Sequence, residues 1–212
     1  GKSATFMAKY DHRHAGSSSH VHQSLWAGGK NVFFDPDAEH GMSKIMRQFL
    51  AGQLAHIREM TYFLAPYINS YKRFCVGMFA PTKTVWSLDN RTAGFRVCGE
   101  GTKSVRVECR IGGADLNPYL ACAALLAAGL DGIEKGMELP PSADGDLYQA
   151  KDAGTVPESL VDAAEALRGS EMLRAAFGTQ VIDHYVHAAQ WEIKESLRVV
   201  TDWERMRGFE RS

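Results

Sequence analysis

Apolar residues recur every three or four positions between Met42 and Leu64: Ile45, Phe49, Leu50, Leu54, Ile57, Met60, Phe63 and Leu64. That spacing places them on one stripe of a helix, so the segment predicts a long amphipathic α-helix. Asn117-Pro118 predicts a second helix start, because asparagine caps well and proline suits the first helical position. That helix is expected to run to about Lys135, with an alanine-rich stretch from Tyr119 to Leu130 that reads as buried. Further helices are expected around 157–168, 170–177 and 179–198. The charged tail, Thr201 to Ser212, carries Trp203 and Phe209 and reads as a docking segment. Period-two alternation marks His20–Trp26, Gly94–Cys98 and Val105–Ile111 as strands, with Thr5–Met7 as a shorter one. Gly99–Ser104 is the hairpin between the last two. Strands in the first half and helices in the second predict an α+β class.

The 212 residues suffice for one domain with a sizeable core. Hydrophobic residues make up 45% and the net charge is -1, which argues against a generic nucleic-acid-binding surface. No apolar run is long enough to span a bilayer and no signal peptide is visible, so the reading is of a cytoplasmic chain. Cys75, Cys98, Cys109 and Cys122 form no Cys-x-x-Cys pair and read as buried free thiols.

Three strand-like segments carry charge on one face. In Arg106-Val107-Glu108-Cys109-Arg110 the apolar residues share one side and Arg106, Glu108 and Arg110 the other. Such a face is either a solvated one laced with ion pairs or a site for an anion beside a cation. Arginine forks bind carboxylate and phosphate, and glutamate binds hard metals. His20, His22 and Ser24 share a face by the same period, and the two histidines suit a metal only if other ligands join them. Arg73, Arg91 and Arg96 also lie in or beside strand-like segments. So many arginines in a chain of near-zero net charge point to a substrate with several negative charges, such as a nucleoside triphosphate together with a carboxylate.

These segments resemble glutamine synthetases. Gly16-Ser17-Ser18-Ser19-His20-Val21-His22-Gln23-Ser24 is similar to the family's Gly-Ser-Gly-x-His-x-His-x-Ser, and Asn69-Ser70-Tyr71-Lys72-Arg73 to its Asn-Ser-Tyr-Lys-Arg. Asn90-Arg91-Thr92-Ala93, Arg106–Arg110 and Asn117-Pro118-Tyr119-Leu120 resemble three further blocks, all in the family's order. The resemblance implies an antiparallel curved sheet with packed helices, and an ATP-dependent ligase acting through a γ-glutamyl phosphate. It implies that His20 and Glu108 hold a Mg²⁺ or Mn²⁺ ion, and that His22, Ser24, Lys103 and Arg106 surround the nucleotide. Arg91 and Arg96 would contact phosphates and stabilise transferred charge as catalytic residues. Gly16, Arg73 and Arg110 would bind glutamate. The family's second metal is held by glutamates upstream of the His-x-His block, and a small N-terminal β-domain completes its site. Residues 1–212 therefore read as the C-terminal portion of the catalytic domain, expected to be inactive alone, from a parent that assembles as a ring of twelve.

Two departures bear on the substrate. Where the family's flap reads Pro-Gly-Tyr-Glu-Ala-Pro, this chain has Val76-Gly77-Met78-Phe79-Ala80-Pro81, and Phe79 cannot take a proton or pair with ammonium. The family's asparagine before Gly-Ser is Ala15. Both changes make the amine pocket less polar, and Ala80-Pro81-Thr82 resembles the flap of γ-glutamylpolyamine and γ-glutamylethanolamide synthetases. The expected reaction joins glutamate to a polyamine, ethanolamine or similar amine. The alternatives are a glutamine synthetase using ammonia and a scaffold that has lost its chemistry.

Overall fold

The computed structural model describes residues 1–75, 77–151 and 153–211. Val76, the first residue of the predicted flap, lies outside the described residues, as does Ser212 of the tail. The core is built on two helices. α1, Lys44–Leu64, starts where the Ser43 hydroxyl accepts from the Met46 amide, and it buries Phe49, Leu50, Ile57, Met60, Phe63 and Leu64. α3, Pro118–Glu134, is capped by the Asn117 side chain, which accepts from the amides of Tyr119 and Leu120, with proline in its first turn. The two helices cross with backbones nearly touching. A Cβ on Gly52 would sit 2.7 Å from Gly132 N and 2.8 Å from its Cα. Gly129 is equally closed, because a Cβ there would enter the Phe49 ring. Glycine is needed at these positions for the approach itself.

A four-stranded sheet packs against this pair. Its order is β1 (Val21–Gln23), β6 (Arg106–Cys109), β5 (Phe95–Cys98) and β4 (Trp86–Leu88). β1 pairs antiparallel with β6, and β6 with β5, as the hairpin at 99–104 predicts. The β5–β4 pair is parallel, which differs from the wholly antiparallel expectation. Parallel neighbours usually need a crossover of a dozen residues or more. Here residues 89–94 carry the chain back to the starting end of β4, a short return because β4 has only three residues, with Asp89 at φ 43° where it turns away. The strand expected at Thr5–Met7 does not form: the three residues are irregular, Phe6 is 74% exposed, and no strand among the described residues pairs with them. A two-stranded ribbon, β2 (Trp26–Ala27) with β3 (Lys30–Asn31), stands apart. Its turn uses Gly28 and Gly29, both at positive φ.

Between α1 and the sheet lies the short α2, Ile68–Tyr71. The second half is helical as expected: α4 (Leu160–Arg168), α5 (Glu171–Phe177) and α6 (Thr179–Arg198). The tail forms one more helix, α7, Asp202–Phe209, opened by a reciprocal cap between Thr201 and Glu204. None of α7 is buried. Cys98 and Cys109 are buried free thiols, but Cys75 is half-buried and Cys122 exposed, since position 122 falls on the outer face of α3. Among the described residues no helix is long and apolar enough to cross a membrane.

Candidate active site on the charged sheet face

β6 divides its side chains as the alternation requires. Val105, Val107, Cys109 and Ile111 are fully buried against the helices. The opposite face is not a solvated one. Glu108 is 2% exposed and Arg110 6%. A carboxylate so deeply covered needs partners, and the strand register supplies them. His22 on β1 and Arg96 on β5 both lie opposite Glu108, so the three form one row across the sheet. Arg110 Nη1 donates to Glu108 Oε1 at 2.7 Å and Arg96 Nη1 to Oε2 at 3.2 Å. His20 Nδ1 lies 3.1 Å and His22 Nε2 3.5 Å from the same Oε1. Burial pushes the Glu108 carboxyl up, but Arg110, His20, His22 and Arg96 outweigh it and hold the group below the usual range. Burial and the neighbouring guanidiniums push both imidazole pKa values down, with Glu108 pulling the other way.

The remaining predicted residues divide into three groups. Arg106 joins the row by donating from Nε to His22 Nδ1 at 3.2 Å. Ser24 lies further along β1's charged side and accepts from the Trp26 indole at 2.9 Å. Lys103 is exposed and lines a cavity of about 410 Å³ with Trp26, Lys30, Asn31 and Phe34. These three sit at the end of the face nearest the ribbon. At the other end Arg110 Nε donates to the Arg91 carbonyl at 3.2 Å, while the Arg91 residue is exposed. Gly16 and Arg73 form a third group. Arg73 is 1% exposed, its Nη2 donates to the Ile111 carbonyl, and its Nε has no partner. Burial brings its pKa down to about 10. A Cβ on Gly16 would lie 2.7 Å from the Arg73 Cγ, so the loop needs glycine there. Phe79 stands apart: it is 73% exposed and held at φ 57°, a conformation that costs a bulky residue energy.

Three positioning contacts escaped the sequence reading. Asn69 clamps Lys9, accepting from its amide and donating to its carbonyl, both at 2.9 Å. Lys9 Nζ then donates to the His14 carbonyl at 2.6 Å, so the loop leading to Gly16 and His20 is tied to α2. Asn69 lies inside one of the recognised blocks, which was the available signal. Asp89 binds the far side of the Arg96 guanidinium, donated to by Nε at 2.9 Å. The Cys98 thiol approaches Glu108 Oε2 at 3.7 Å. Neither of these two carries a sequence signal.

A buried carboxylate flanked by histidines and arginines on a mostly antiparallel sheet is a face suited to anionic groups beside a cation. Residues 1–207 match the family described as glutamine synthetase, catalytic domain, and the chain belongs to that family. It is 50% identical to "Gamma-glutamylethanolamide synthetase GlnA4" of Streptomyces coelicolor, covering 100% of this chain and 45% of that protein. It is 41% identical to "Glutamate--isopropylamine ligase" of a Pseudomonas species, covering 98% and 46%. The solved structure "GmaS/ADP complex-Conformation 1" superposes with a TM-score of 0.88 at 32% identity, covering 97% of this chain and 49% of that one. The chain thus spans about half the length of the relatives it matches.

Proposed function

We propose that the chain carries the nucleotide, glutamate and metal face of an ATP-dependent ligase that forms γ-glutamyl amides from glutamate and an organic amine. The observation that carries this is the His22–Glu108–Arg96 row with His20 and Arg110 beside it. His20 and Glu108 are the residues that would hold a divalent cation. Among the described residues no set of three or more His, Cys, Asp or Glu side chains is disposed to close round an ion. A histidine nitrogen beside a carboxylate would suit a divalent cation such as Mg²⁺ or Mn²⁺. Such an ion would neutralise charge on the phosphates.

The chain's own groups account for the rest of the reading. Arg96 is preorganised by Asp89 and Glu108, so its guanidinium is fixed where phosphoryl charge would develop, and no reorganisation is needed at that moment. Arg91, exposed at the same end of the face, would meet the same phosphates. His22, Ser24, Lys103 and Arg106 border the nucleotide, with the cavity beside Trp26 next to them. Arg110 and Arg73, under Gly16, form the carboxylate end, and Arg73's unpartnered Nε is a donor kept in reserve. An organic amine is favoured over ammonia by Phe79 in place of a flap carboxylate, and by two relatives whose names specify ethanolamide and isopropylamine products or substrates. Self-association is in keeping with the exposed apolar residues along and just after α6: Trp191 is 60%, Leu197 83% and Val200 63% exposed.

The test is a segment exchange. This chain replaces its matching segment in the glutamine synthetase of Thermotoga maritima, to which it is 39% identical. Phosphate release from ATP is then followed with glutamate and a panel of amines. Preference for an alkylamine or ethanolamine should move with the segment. If ammonia remains the best acceptor, the amide-ligase reading is wrong.

A further inference from the structure

The loop carrying Phe79 does not close on solvent alone. After it, the Val156 amide donates to the Thr82 carbonyl and the Thr84 amide to the Gly154 carbonyl, so residues 82–84 run beside 154–156. Between the two segments lies a cavity of about 320 Å³, walled by Phe74, Ala80, Thr82 and Lys83 on the loop side and by Tyr148 and Glu158 opposite. Phe79 is not among its walls.

The cavity adjoins the arginine face. The Lys83 carbonyl lies so close to Gly94 that any Cβ there would collide with it, and the Gly94 carbonyl accepts from the Arg110 amide at 2.9 Å. Tyr148 reaches the same region: burial raises its phenol pKa, while Arg110 and Arg73 are near enough to pull it back. The 3-10 turn bearing Tyr148, Leu147–Gln149, is fastened to the Asn90–Thr92 turn by the Leu147 amide, which donates to Thr92 Oγ1 at 3.0 Å.

The chemistry of the walls is specific. Phe74 and Tyr148 offer aromatic surface, and Glu158 offers a carboxylate with no hydrogen bond or ion pair among the described residues. Aromatic faces and one carboxylate suit a cation with an apolar body. The Lys83 ammonium on the facing wall also has no ion pair among the described residues, so it weakens the cavity for cations without blocking it.

We infer that this cavity is the amine subsite and that Glu158 binds the amine's ammonium group across it, supplying from the far wall the negative charge that position 79 lacks. The inference rests on the amide-ligase reading and deepens it. It concerns recognition of the cation, with Phe74 and Tyr148 packing its alkyl body.

The experiment titrates the 212-residue chain with isopropylammonium, using uncharged 2-propanol as control, and follows binding by calorimetry or amide chemical shifts. Mg²⁺·ATP is titrated in parallel. The ammonium should saturate a single site and 2-propanol should not. Glu158→Gln, an exposed position that leaves the fold alone, should weaken ammonium binding at least about fivefold, and Lys83→Met should tighten it by removing a like charge. Neither variant should move ATP affinity. If the chain binds no ammonium, if Glu158→Gln has no effect, or if Lys83→Met weakens binding, the subsite is overturned. ATP binding without Glu158-dependent amine binding sinks this inference alone. Glu158-dependent amine binding without ATP binding sinks the ligase reading, and with it the cavity's role as that ligase's amine subsite, leaving only a cation-binding cavity.

Discussion

Replacing Gly52 by alanine pits two well-characterised effects against each other. In an exposed helix the change should stabilise by about 1 kcal/mol, because glycine is the poorer helix former. At position 52 the new Cβ would sit 2.7 Å from Gly132 N and 2.8 Å from its Cα, where ordinary contacts begin near 3.4 Å. The obstructing atoms are backbone, so no rotamer change relieves them. The Ala128 carbonyl oxygen is nearer still, so α1 and α3 must separate by more than about 0.7 Å at this point, across an interface holding Phe49, Leu125 and Ala128. A gap of that size forfeits a quarter to a half of each contact's attraction. Overpacking typically costs about 1–3 kcal/mol, and an unyielding backbone puts this site at the upper end or beyond. The net expectation is a loss of roughly 2 kcal/mol, or about 4–8 °C in Tm for a chain of this size. Urea unfolding should show a lower midpoint at unchanged slope. Gly208→Ala is the control: its Cβ meets nothing within 4 Å, so it should be neutral or slightly stabilising. A Gly52→Ala variant as stable as the parent would refute the reasoning, because the helices would then have room the structure denies them.

Other outcomes follow from single contacts. Glu108→Gln should cost about 3 kcal/mol in unfolding experiments, since it leaves the Arg96 and Arg110 guanidiniums covered without their shared counter-charge. The same variant should abolish the metal dependence of ATP binding measured by calorimetry. Asn117→Ala should cost about 1 kcal/mol in unfolding by removing the cap of α3. His56 lies between Glu59 and Asp131, and its pKa is raised, chiefly through the Glu59 hydrogen bond. Its contribution is therefore full below the ordinary histidine pKa and is lost as pH rises through the elevated one. Glu59 and Asp131 are lowered against the effect of burial, so their contributions are lost instead as pH falls through the carboxylate range. Unfolding midpoints from pH 5 to 9 should fall at the alkaline end in the parent and do so less in His56→Gln.

The parts of the fold governed by local chemistry were readable in advance. Asn117-Pro118 marked a helix start because capping is a property of adjacent residues, and the stripe from Ile45 to Leu64 marked α1 because burial repeats every turn. Alternation along β6 likewise sorted its two faces. What alternation could not say was whether Glu108 met water, because that depends on β1 and β5 arriving beside it. The parallel β4 pairing, the Asn69–Lys9 clamp and the Asp89–Arg96 pair are non-local for the same reason. The α7 helix was missed although Thr201 and Glu204 hold the spacing of a reciprocal cap. Phe79 stands out in the sequence as a departure from the family's flap, yet its left-handed backbone and outward side chain depend on the local turn, which composition does not reveal.

The arginines on the sheet face also have a kinetic consequence. Overall charge is -1, yet Arg110, Arg106, Arg96 and Arg73 all act on the His20–His22 pair, with only Glu108 in their midst and Asp89 on the far side of Arg96 to offset them. A molecule with almost no net charge thus carries a local positive lens. Polyanions should be drawn to that face from beyond contact range, and their association rate should drop as salt shortens the reach of the field to about 8 Å at physiological ionic strength. Dissociation, governed by short-range hydrogen bonds, should respond far less. The protein would then capture nucleotide quickly at low salt without holding it longer.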